Sequence, residues 1–495
     1  MDNKEFVRKH LNDDVNKLAL SKFPEEIDKQ FVIRQIQARQ VLSKKLPSWA
    51  ENDELIFPKK LSLEQCSSEL TAKYKALLLS TNPYEFSRKI SADSCELVDE
   101  KVSMNQHEST RKISDDSCIL VDEKVSTNQH ESTRKISDNS CILVDEKVST
   151  NQHESTRMIS ADSCELVDEK KILVDLTGGM GVDTSFLSDN FDKTYYVEMQ
   201  EELCDIARHN FKILNKNIEV VNDNAEHFLT TCGEVDCIYL DPARRDEYGR
   251  KMVSLHDCSP DVAELQDVLF EKAKAVMVKL SPMLDIDIVK KELKNIKEIH
   301  IVAVKNECKE ILVILGQQTT DNGQQSSSIA HGSQLIATDL RENWNFSFTE
   351  DEEQNAEWTL ADKVGRYLYE PGAAFMKAGC FKLLSQKYNL DKLHRNSHLY
   401  TSDELVADFP GRIFEVINVV PFDKKAKKNL WETTSLSSQL TAHGSQPKAS
   451  IAVRNFPLSA EELKKNLGLQ DGGEFYIFGT TMKGEKKIVV LTKKL

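Results

Sequence analysis

The stretch KILVDLTGGMGVD, residues 171–183, decides the fold class. Its apolar run ILVDL at 172–176 has the length of a buried strand, and a helical pattern follows at 183–189. Between them lie Gly178, Gly179 and Gly181. Glycines in such a turn permit positive φ and let a ligand approach the backbone without a Cβ in the way. The stretch therefore predicts a strand, a ligand-binding turn and a helix.

Strand-like and helix-like runs alternate from this turn to residue 316. Strands are predicted at 172–176, 194–198, 218–222, 236–241, 275–280, 298–304 and 310–315, and helices at 183–189, 200–214, 260–272 and 286–294. Such alternation is typical of an α/β fold, a mostly parallel sheet with helices on both faces. Only residues 305–309 separate the last two strands, so we expect these two to pair antiparallel.

Two ligand classes compete for the glycine turn. A dinucleotide site has the spacing G-x-G-x-x-G and places a pyrophosphate on the helix N-terminus. The turn at 178–181 has the spacing G-G-x-G instead. Asp175, near the end of the strand, suits the ammonium of a methionine group better than a phosphate. The pattern therefore favours a sulfonium nucleoside.

Polar residues that end three further predicted strands strengthen this interpretation. Glu198 ends the second strand, where a carboxylate can accept both ribose hydroxyls. Asp223 and Asn224 end the third strand, beside the expected adenine, and Asp241 ends the fourth. Ligands of open α/β sheets bind beyond the carboxyl ends of the strands. The predicted cofactor is S-adenosylmethionine, with the cofactor-binding residues Asp175, Thr177, Gly178, Gly179, Gly181, Glu198, Asp223, Asn224 and Asp241.

The chain before residue 171 divides into a helical segment and a repeat. Residues 1–86 show apolar positions at helical spacing, and one of the predicted helices covers 63–79. Within 87–170, a unit of 23 residues first seen at 88–110 recurs at 111–133 and 134–156. Each copy offers only a short apolar cluster to bury against a neighbour. We expect a disordered insert, with short stacked strands as the alternative.

The chain after residue 316 divides into a linker and two modules. Residues 317–339 are polar and are predicted as a linker, and 340–385 form a small mixed unit. Residues 386–495 hold short strand-like runs and a helix at 459–467, as in an α+β module. This last module has 17 Lys and Arg against 12 Asp and Glu, whereas the whole chain has a net charge of −15.

Composition argues against membrane and metal sites. The 495 residues are 40% hydrophobic, yet no apolar run approaches the roughly 18 residues that a membrane span needs. The charged N-terminus lacks the apolar region of a signal peptide. The 11 cysteines include no CxxC pair and no zinc-finger spacing with histidine. We expect a cytoplasmic protein without a metal, and the sequence leaves the oligomeric state open.

Four strings resemble one protein family, the bacterial class I S-adenosylmethionine-dependent methyltransferases with a C-terminal THUMP-like domain. The strings are DLTGGMGVD (175–183), YVEMQEELCDIARHNF (196–211), YLDPARRDEYG (239–249) and KLSPMLD (279–285). The resemblance implies a Rossmann-like methyltransferase domain at 171–316, a ferredoxin-like module at 340–385 and a THUMP-like domain at 386–495. Asn224 departs from the family, in which an Asp is expected.

The acceptor side is predicted from the end of the fourth strand. Asp241-Pro242-Ala243-Arg244 resembles the Asp/Asn-Pro-Pro-aromatic motif of amino-directed methyltransferases, in which the carboxylate helps to hold an exocyclic amine. Arg244 stands where that motif has an aromatic residue to stack on a base. Asp241, Pro242 and Arg244 are the predicted catalytic residues. The predicted substrate-binding residues are Arg244, Arg245, Lys279 and Ser281. A structural role for Asp241 in the cofactor loop, or ion pairs for the arginines, is the alternative.

RNA is the predicted acceptor. THUMP domains accompany RNA-modifying enzymes, so the resemblance implies an RNA substrate. The basic module also carries the cluster Lys424, Lys425, Lys427 and Lys428, which could contact phosphates without reading sequence. Two alternatives stay open: an RNA-binding protein with an inactive methyltransferase fold, and methylation of a protein or a small molecule. Lys75, in the N-terminal segment, could cover the cofactor or pack its helix.

Overall fold

The computed structural model describes residues 2–80, 170–244, 254–316, 332–432 and 447–495. The predicted repeat insert at 87–170 lies outside these ranges except for its last residue, and so does Arg245. For Arg244 only the backbone is described. The described residues belong to one unit. Among them, no helix combines the length and the apolar character that crossing a membrane requires.

Residues 2–80 of the N-terminal segment form six helices: α1 (Asn3–Lys9), α2 (Val15–Ala19), α3 (Lys29–Leu42), α4 (Pro47–Ala50), α5 (Lys60–Gln65) and α6 (Glu69–Leu78). The predicted single helix over 63–79 is wrong, because Cys66 and Ser68 have extended backbone between α5 and α6. The Ser68 hydroxyl then accepts the Thr71 N–H and begins α6. A short polar side chain at an N-cap satisfies a backbone donor that the helix itself cannot.

The large sheet contains nine strands within the described ranges 170–244, 254–316 and 332–349. The first eleven strands of the chain are β1 (Ile172–Asp175), β2 (Lys193–Glu198), β3 (Ile218–Asn222), β4 (Val235–Leu240), β5 (Ala243–Arg244), β6 (Cys258–Ser259), β7 (Ala273–Leu280), β8 (Ile296–Val304), β9 (Glu307–Gly316), β10 (Gln334–Asp339) and β11 (Trp344–Thr349). The sheet order is β11-β10-β8-β9-β7-β4-β1-β2-β3, and β5 and β6 form a separate ladder. β9 runs antiparallel to β7 and β8. The predicted mostly parallel sheet and its closing hairpin are confirmed.

Helices follow the strands of this sheet. They are α7 (Val182–Leu187), α8 (Glu201–Ile213), α9 (Ala225–Thr231), α10 (Val262–Lys272) and α11 (Ile286–Glu292). Strand residues Val174, Ile238 and Val276 are fully buried in the main core. The N-terminal segment packs here too. Leu78, the last residue of α6, packs against the apolar cluster that contains Leu173 of β1.

The large sheet extends beyond residue 316, which corrects the predicted linker at 317–339 and the start of the module at 340–385. β10 pairs parallel with β8, with Leu335 opposite Ile299, and β11 pairs antiparallel with β10. Leu335 and Ala337 in β10, with Phe346 in β11, are buried in the same core as the central strands. Short apolar runs next to a polar stretch were enough to add two strands at one side of the sheet, of which β11 is the edge, because the sheet supplies most of the burial.

A second sheet, with seven strands among residues 367–432 and 447–495, forms the C-terminal part. Its strands are β12 (Tyr367–Pro371), β13 (Asp391–Lys392), β14 (Tyr400–Ser402), β15 (Gly411–Pro421), β16 (Lys448–Arg454), β17 (Gln470–Met482) and β18 (Lys486–Lys494). The order is β13-β14-β12-β15-β18-β17-β16. The helices are α12 (Glu350–Asn355), α13 (Ala373–Ala378), α14 (Phe381–Tyr388), α15 (Ala426–Glu432) and α16 (Ala460–Leu467). The predicted helix at 459–467 is confirmed as α16.

Candidate active site

The glycine turn is held by backbone hydrogen bonds from both sides. The Leu176 N–H donates to the Tyr239 carbonyl of β4 over 3.0 Å, and the Gly178 N–H donates to the Val197 carbonyl of β2 over 2.9 Å. Within the turn, the Gly181 N–H donates to the Gly178 carbonyl over 2.8 Å. The ends of three neighbouring strands are thus linked through the turn that follows β1.

Gly178 and Gly179 need to be glycines for different reasons. A Cβ on Gly178 would lie 2.2 Å from the ring of Tyr196, which packs beneath the turn. Gly179 has φ +54°, and the nearest atom that a Cβ there would meet is the Thr177 carbonyl oxygen, 3.7 Å away. Positive φ is costly for residues with a Cβ. Gly178 therefore allows packing below the turn, whereas Gly179 leaves its outer surface open to a ligand.

Asp175 is almost fully buried and braces the turn. Its Oδ1 accepts the Thr177 N–H over 3.0 Å, and its Oδ2 accepts the Thr184 hydroxyl over 2.5 Å. Burial raises the pKa of Asp175 to about 7, although these hydrogen bonds work in the opposite direction. The carboxylate expected to face the methionine ammonium thus lies inside the turn, where it connects β1 to the start of α7.

Glu198 connects the end of β2 to the glycine turn. Its Oε2 accepts the Gly179 N–H over 2.9 Å, and its Oε1 accepts the Gln200 N–H over 2.9 Å. A carboxylate oxygen can accept more than one hydrogen bond, so both oxygens retain acceptor capacity. The predicted ribose-binding carboxylate is therefore fixed in orientation next to the open surface of Gly179.

Asp223 and Asn224 shape the end of β3. The Asp223 N–H donates to the Glu198 carbonyl over 3.1 Å. The side-chain oxygen of Asn224 caps α9 by accepting the His227 N–H over 2.8 Å. His227 also pairs with Asp223 over 2.7 Å, and this contact lowers the pKa of Asp223 below its ordinary value. Because Asn and Asp both accept well at an N-cap, the departure from the family at position 224 keeps the cap.

Asp241 and Lys279 meet where β4 and β7 end. The Asp241 N–H donates to the Thr177 hydroxyl over 2.6 Å, which joins the end of β4 to the glycine turn. The Lys279 ammonium contacts Oδ2 of Asp241, whose side chain is 36% exposed. Burial lowers the pKa of Lys279, but Asp241 and Asp183 raise it more, so the pKa lies above its ordinary value and Lys279 is a cation.

The other predicted acceptor residues lie near this pair in sequence. Pro242 is half-buried and directly follows Asp241. Ser281 follows β7, where its hydroxyl accepts the Met283 N–H over 3.3 Å and its carbonyl accepts the Leu284 N–H over 3.1 Å. Arg244 lies in β5, which pairs with β6 through Cys258. Arg245 lies outside the described residues, so its predicted substrate contact stays a prediction.

A buried ion network below Asp241 is the feature that sequence reasoning missed. Asp183, in the first turn of α7, lies 3.3 Å from the ammonium of Lys75 in α6. The same ammonium lies 2.8 Å from Glu310 in β9. Charged residues in the apolar runs of α6 and β9 were the available signal, because charges in such runs are rarely buried unpaired. The structure assigns Lys75 to this network.

Two cysteines near the site and two arginines of the C-terminal sheet have structural roles. Cys237 is buried and burial raises its pKa to about 12, and Cys258 is also buried. Neither thiol is placed to act as a nucleophile. In the C-terminal sheet, Arg412 and Arg454 both pair with the buried Glu370, so neither is a free phosphate ligand. The predicted lysine cluster on and before α15 is exposed.

One group of metal-ligand type occurs among the described residues. The ligand atoms of His256, Asp261 and Glu264 all lie within 4.8 Å of one another. Asp261 already accepts the Glu264 N–H as the N-cap of α10, and its other oxygen pairs with His256 over 2.9 Å. That pairing raises the pKa of His256. These contacts give Asp261 and His256 structural roles at the start of α10.

Two family models match the C-terminal sheet. A ferredoxin-like domain matches residues 367–410, and a THUMP domain-like family matches residues 411–494. The ferredoxin-like match begins after β11 and ends before β15, so it shifts the boundaries that we predicted at 340–385 and 386–495. The two domains share one sheet, because β15 of the second pairs with β12 of the first. No curated protein matches the chain significantly.

Solved structures extend the similarity to the whole chain. A protein of Porphyromonas gingivalis W83, provisionally assigned as a methyltransferase, is 28% identical, with a TM-score of 0.69 over 99% of this chain and 97% of that one. An rRNA methylase from Streptococcus thermophilus is 18% identical over 30% of this chain and 88% of its own, with a TM-score of 0.24. At 16% identity, a Streptococcus mutans protein in complex with SAH has the same coverage and TM-score.

The sheet order, the strand-end residues and the similarity over nearly the whole chain agree with one another. The large sheet with its helices resembles the methyltransferase of P. gingivalis, and the C-terminal matches divide the second sheet at residue 410. The chain therefore combines a Rossmann-like methyltransferase fold with an N-terminal helical segment, a ferredoxin-like domain and a C-terminal THUMP-like domain.

Proposed function

We propose that the protein is an S-adenosylmethionine-dependent methyltransferase that acts on RNA. The observation that carries the proposal is the linkage of four strand ends around one glycine turn. Glu198 accepts the Gly179 N–H, Thr177 accepts the Asp241 N–H, and Asp223 donates to the Glu198 carbonyl. The carboxyl ends of the strands are where open α/β sheets bind their ligands.

The residues present fit this cofactor. The outer surface of Gly179 is open, and a Cβ there would meet only a carbonyl oxygen at 3.7 Å. Glu198 lies beside it with acceptor capacity left for ribose hydroxyls. Asp223 and Asn224 lie next in order along the sheet edge and would flank the adenine. Asp175 would support the methionine end of the cofactor from inside the turn, by holding Thr177 and Thr184 in place.

The acceptor side of the site consists of Asp241 and Lys279. When bound, S-adenosylmethionine supplies an electrophilic methyl group on a sulfonium that is its own leaving group. The protein must hold the acceptor in line with that methyl group and keep its lone pair available. Oδ2 of Asp241 contacts Lys279. Oδ1 would hold, or take, the proton of the acceptor atom. Pro242 and Arg244 follow Asp241 in the sequence and Ser281 follows Lys279, and all three stay predicted acceptor residues.

The RNA acceptor is proposed from the C-terminal domain and its charge. A THUMP-like domain follows the ferredoxin-like domain. Lys424 and Lys425 precede α15, Lys427 and Lys428 lie within it, and all four are exposed. Exposed lysines can contact phosphates and position a nucleic acid without reading its sequence.

The direct experiment measures cofactor binding and methyl transfer on the full chain. Calorimetry with S-adenosylmethionine should give saturable binding that Gly179→Arg abolishes, because the arginine side chain would fill the open surface. Gly379→Asn is the matched control, since Gly379 also has positive φ but caps α13. Label from the methyl group should then enter total RNA. A wild-type protein that binds no cofactor would overturn the proposal.

An acceptor other than RNA is the second candidate, and the ion pairing of the arginines favours considering it. Arg412 and Arg454 pair with Glu370, so the positive surface that the C-terminal domain offers to RNA rests mainly on its exposed lysines. Incubation with labelled cofactor and either total RNA or a protein extract separates the two. Label that enters protein alone would contradict the RNA acceptor and leave the methyltransferase proposal standing.

A further inference from the structure

Lys279 lies between two carboxylates at the end of β7. Its ammonium contacts Oδ2 of Asp241 and lies 3.9 Å from Oδ2 of Asp183. Only 12% of the Lys279 side chain is exposed, so water screens these interactions weakly. Glu310 adds further negative potential at the same ammonium. Two carboxylates thus compete for direct contact with one cation.

Asp183 already has a second cation, supplied by the N-terminal segment. The ammonium of Lys75 lies 3.3 Å from Oδ1 of Asp183 and 2.8 Å from Oε1 of Glu310. The Lys75 side chain is fully buried. A buried carboxylate that lacks a cation is much less favourable than a paired one. Lys75 therefore neutralises Asp183, which would otherwise attract the ammonium of Lys279 towards itself.

Two hydroxyl groups hold Asp183 in place, and one of them, that of Ser67, also accepts a hydrogen bond from the Lys75 ammonium over 3.1 Å. Ser67 donates to its Oδ2 over 2.7 Å and Tyr239 donates to the same oxygen over 2.8 Å. Lysine, in contrast, carries its charge on a flexible stem with four methylene groups. Asp183 is thus the fixed member of the network, and the ammonium of Lys279 is the member that can move.

We propose that Lys75 is a positioning residue for the methyl-acceptor site: by neutralising Asp183, it keeps Lys279 on Asp241. The inference rests on the proposed function, because that function assigns Asp241 and Lys279 to the acceptor. It makes the N-terminal helical segment part of the active site. Lys75 acts through Asp183 and Lys279 and does not itself touch the reacting atoms.

Loss of Lys75 leaves Lys279 as the nearest cation to Asp183. The ammonium then shifts towards Asp183 and releases Oδ2 of Asp241, so the carboxylate loses its orientation. Misplacing a reacting group by about 1 Å can slow an enzyme by roughly 100-fold. Cofactor affinity should change little, because the glycine turn and Glu198 are held by their own hydrogen bonds.

The test uses three variants of the full chain. Lys75→Met/Glu310→Gln removes the two charges together, so that Glu310 is not left as an unpaired ion. Adding Asp183→Asn removes the competing carboxylate, while the amide oxygen still accepts from Ser67 and Tyr239. Lys73→Met is the matched control, because Lys73 is an exposed lysine on the same helix. Each protein is measured for methyl transfer to total RNA, cofactor binding by calorimetry and thermal unfolding.

The expected order of rates distinguishes positioning from mere stabilisation. The double variant should transfer methyl groups at least about tenfold more slowly with nearly unchanged cofactor affinity, and the triple variant should recover to within about threefold of wild type. The Lys73 control should match wild type. A purely structural role for Lys75 predicts that the rate and the cofactor affinity of the double variant fall together, in step with its unfolding temperature, and that result would overturn the proposal.

A failure of the proposed function is recognised separately. If the wild type transfers no label to any acceptor, the proposed function is wrong, and the position of Lys279 in crystal structures of the variants still decides the inference. An ammonium within about 3 Å of Asp183 in the double variant, at hydrogen-bond distance, supports it. An ammonium that stays on Asp241 in that variant contradicts it.

Discussion

The hydroxyl of Tyr196 donates a 2.6 Å hydrogen bond to the carbonyl of Gly179, from directly beneath the glycine turn. The same ring occupies the space that a Cβ on Gly178 would need. The hydroxyl of Tyr196 thus supports the turn, and its ring explains why position 178, just before the open surface of Gly179, is a glycine. The support comes from β2, the strand that also provides Glu198.

Gly178→Ala should destabilise the protein by about 1–3 kcal/mol, the usual effect of forcing an extra carbon into a packed site. Tyr196→Leu should recover part of this loss when combined with Gly178→Ala, because it removes the ring atoms within 2.6 Å of the new Cβ. Urea unfolding of the two single variants and the double variant gives the coupling energy. Additive losses would show that the ring is not the obstacle.

Asp175→Asn should change how stability depends on pH. In the folded protein the pKa of Asp175 is about 7, against 3.8 for the free group. Because this pKa is raised, the folded protein still holds the proton at pH values at which the unfolded chain has lost it. Between pH 4 and pH 7 the wild type should therefore lose up to roughly 4 kcal/mol relative to Asp175→Asn, with no further change above pH 7. Parallel stability curves for the two proteins, measured by urea unfolding, would contradict the buried, protonated carboxyl.

Glu198→Gln should weaken S-adenosylmethionine binding by about 10- to 100-fold, as expected for loss of a charged hydrogen-bond acceptor. The amide has only one acceptor oxygen, so it cannot accept the Gly179 and Gln200 N–H groups through separate oxygens as Glu198 does. Calorimetry measures the affinity. Glu219→Gln, an exposed carboxylate on the adjacent β3, is the control. Equal losses in both variants would point to a general charge effect.

Glu370→Gln should destabilise the C-terminal sheet by about 3–5 kcal/mol, because it leaves Arg412 and Arg454 without their shared carboxylate. The carboxylate side chain is only 3% exposed. Thermal unfolding followed by near-ultraviolet circular dichroism reports the loss. Glu415→Gln, at an exposed pair with Arg366, should cost less than about 1 kcal/mol. A Glu370 variant as stable as this control would show that the buried pairs contribute little.

Replacement of Lys424, Lys425, Lys427 and Lys428 by Gln should weaken RNA binding most at low salt. If all four contact phosphates of single-stranded RNA, the slope of log K against log salt should become shallower by about 3. Fluorescence anisotropy over a salt series measures the slope. The fourfold replacement at Lys483, Lys486, Lys493 and Lys494 is a control of equal charge. An unchanged slope would remove the cluster from the proposed RNA surface.

The sequence was sufficient for those features that depend on local pattern. Glycine spacing, apolar runs and polar strand ends predicted the parallel sheet, the closing hairpin of β8 and β9, and the positions of Glu198 and Asp241. Each of these follows from a stretch of a few residues. Residues at strand ends come together because parallel strands end at the same edge of the sheet.

The features that the sequence did not predict depend on contacts between distant segments. Nothing in the sequence around Lys75 indicates that its partners are Asp183 and Glu310. The three side chains pair because the fold buries them together. In the same way, β10 and β11 are strands because β8 offers an open edge, while the adjacent sequence is typical of a linker. The bracing role of Asp175 was missed because the pattern shows that an acid is present but not which way it points.

The packing of α6 against β1 has a consequence for the repeat that separates them in the sequence. Leu78 and Leu173 join one apolar cluster, and Asn190 donates to the Ala76 carbonyl over 2.7 Å. In the sequence, the 23-residue units therefore lie between α6 and β1, two elements that pack against each other. We therefore expect variants with fewer copies of the unit to keep Lys75 beside Asp183, and with it the proposed acceptor site.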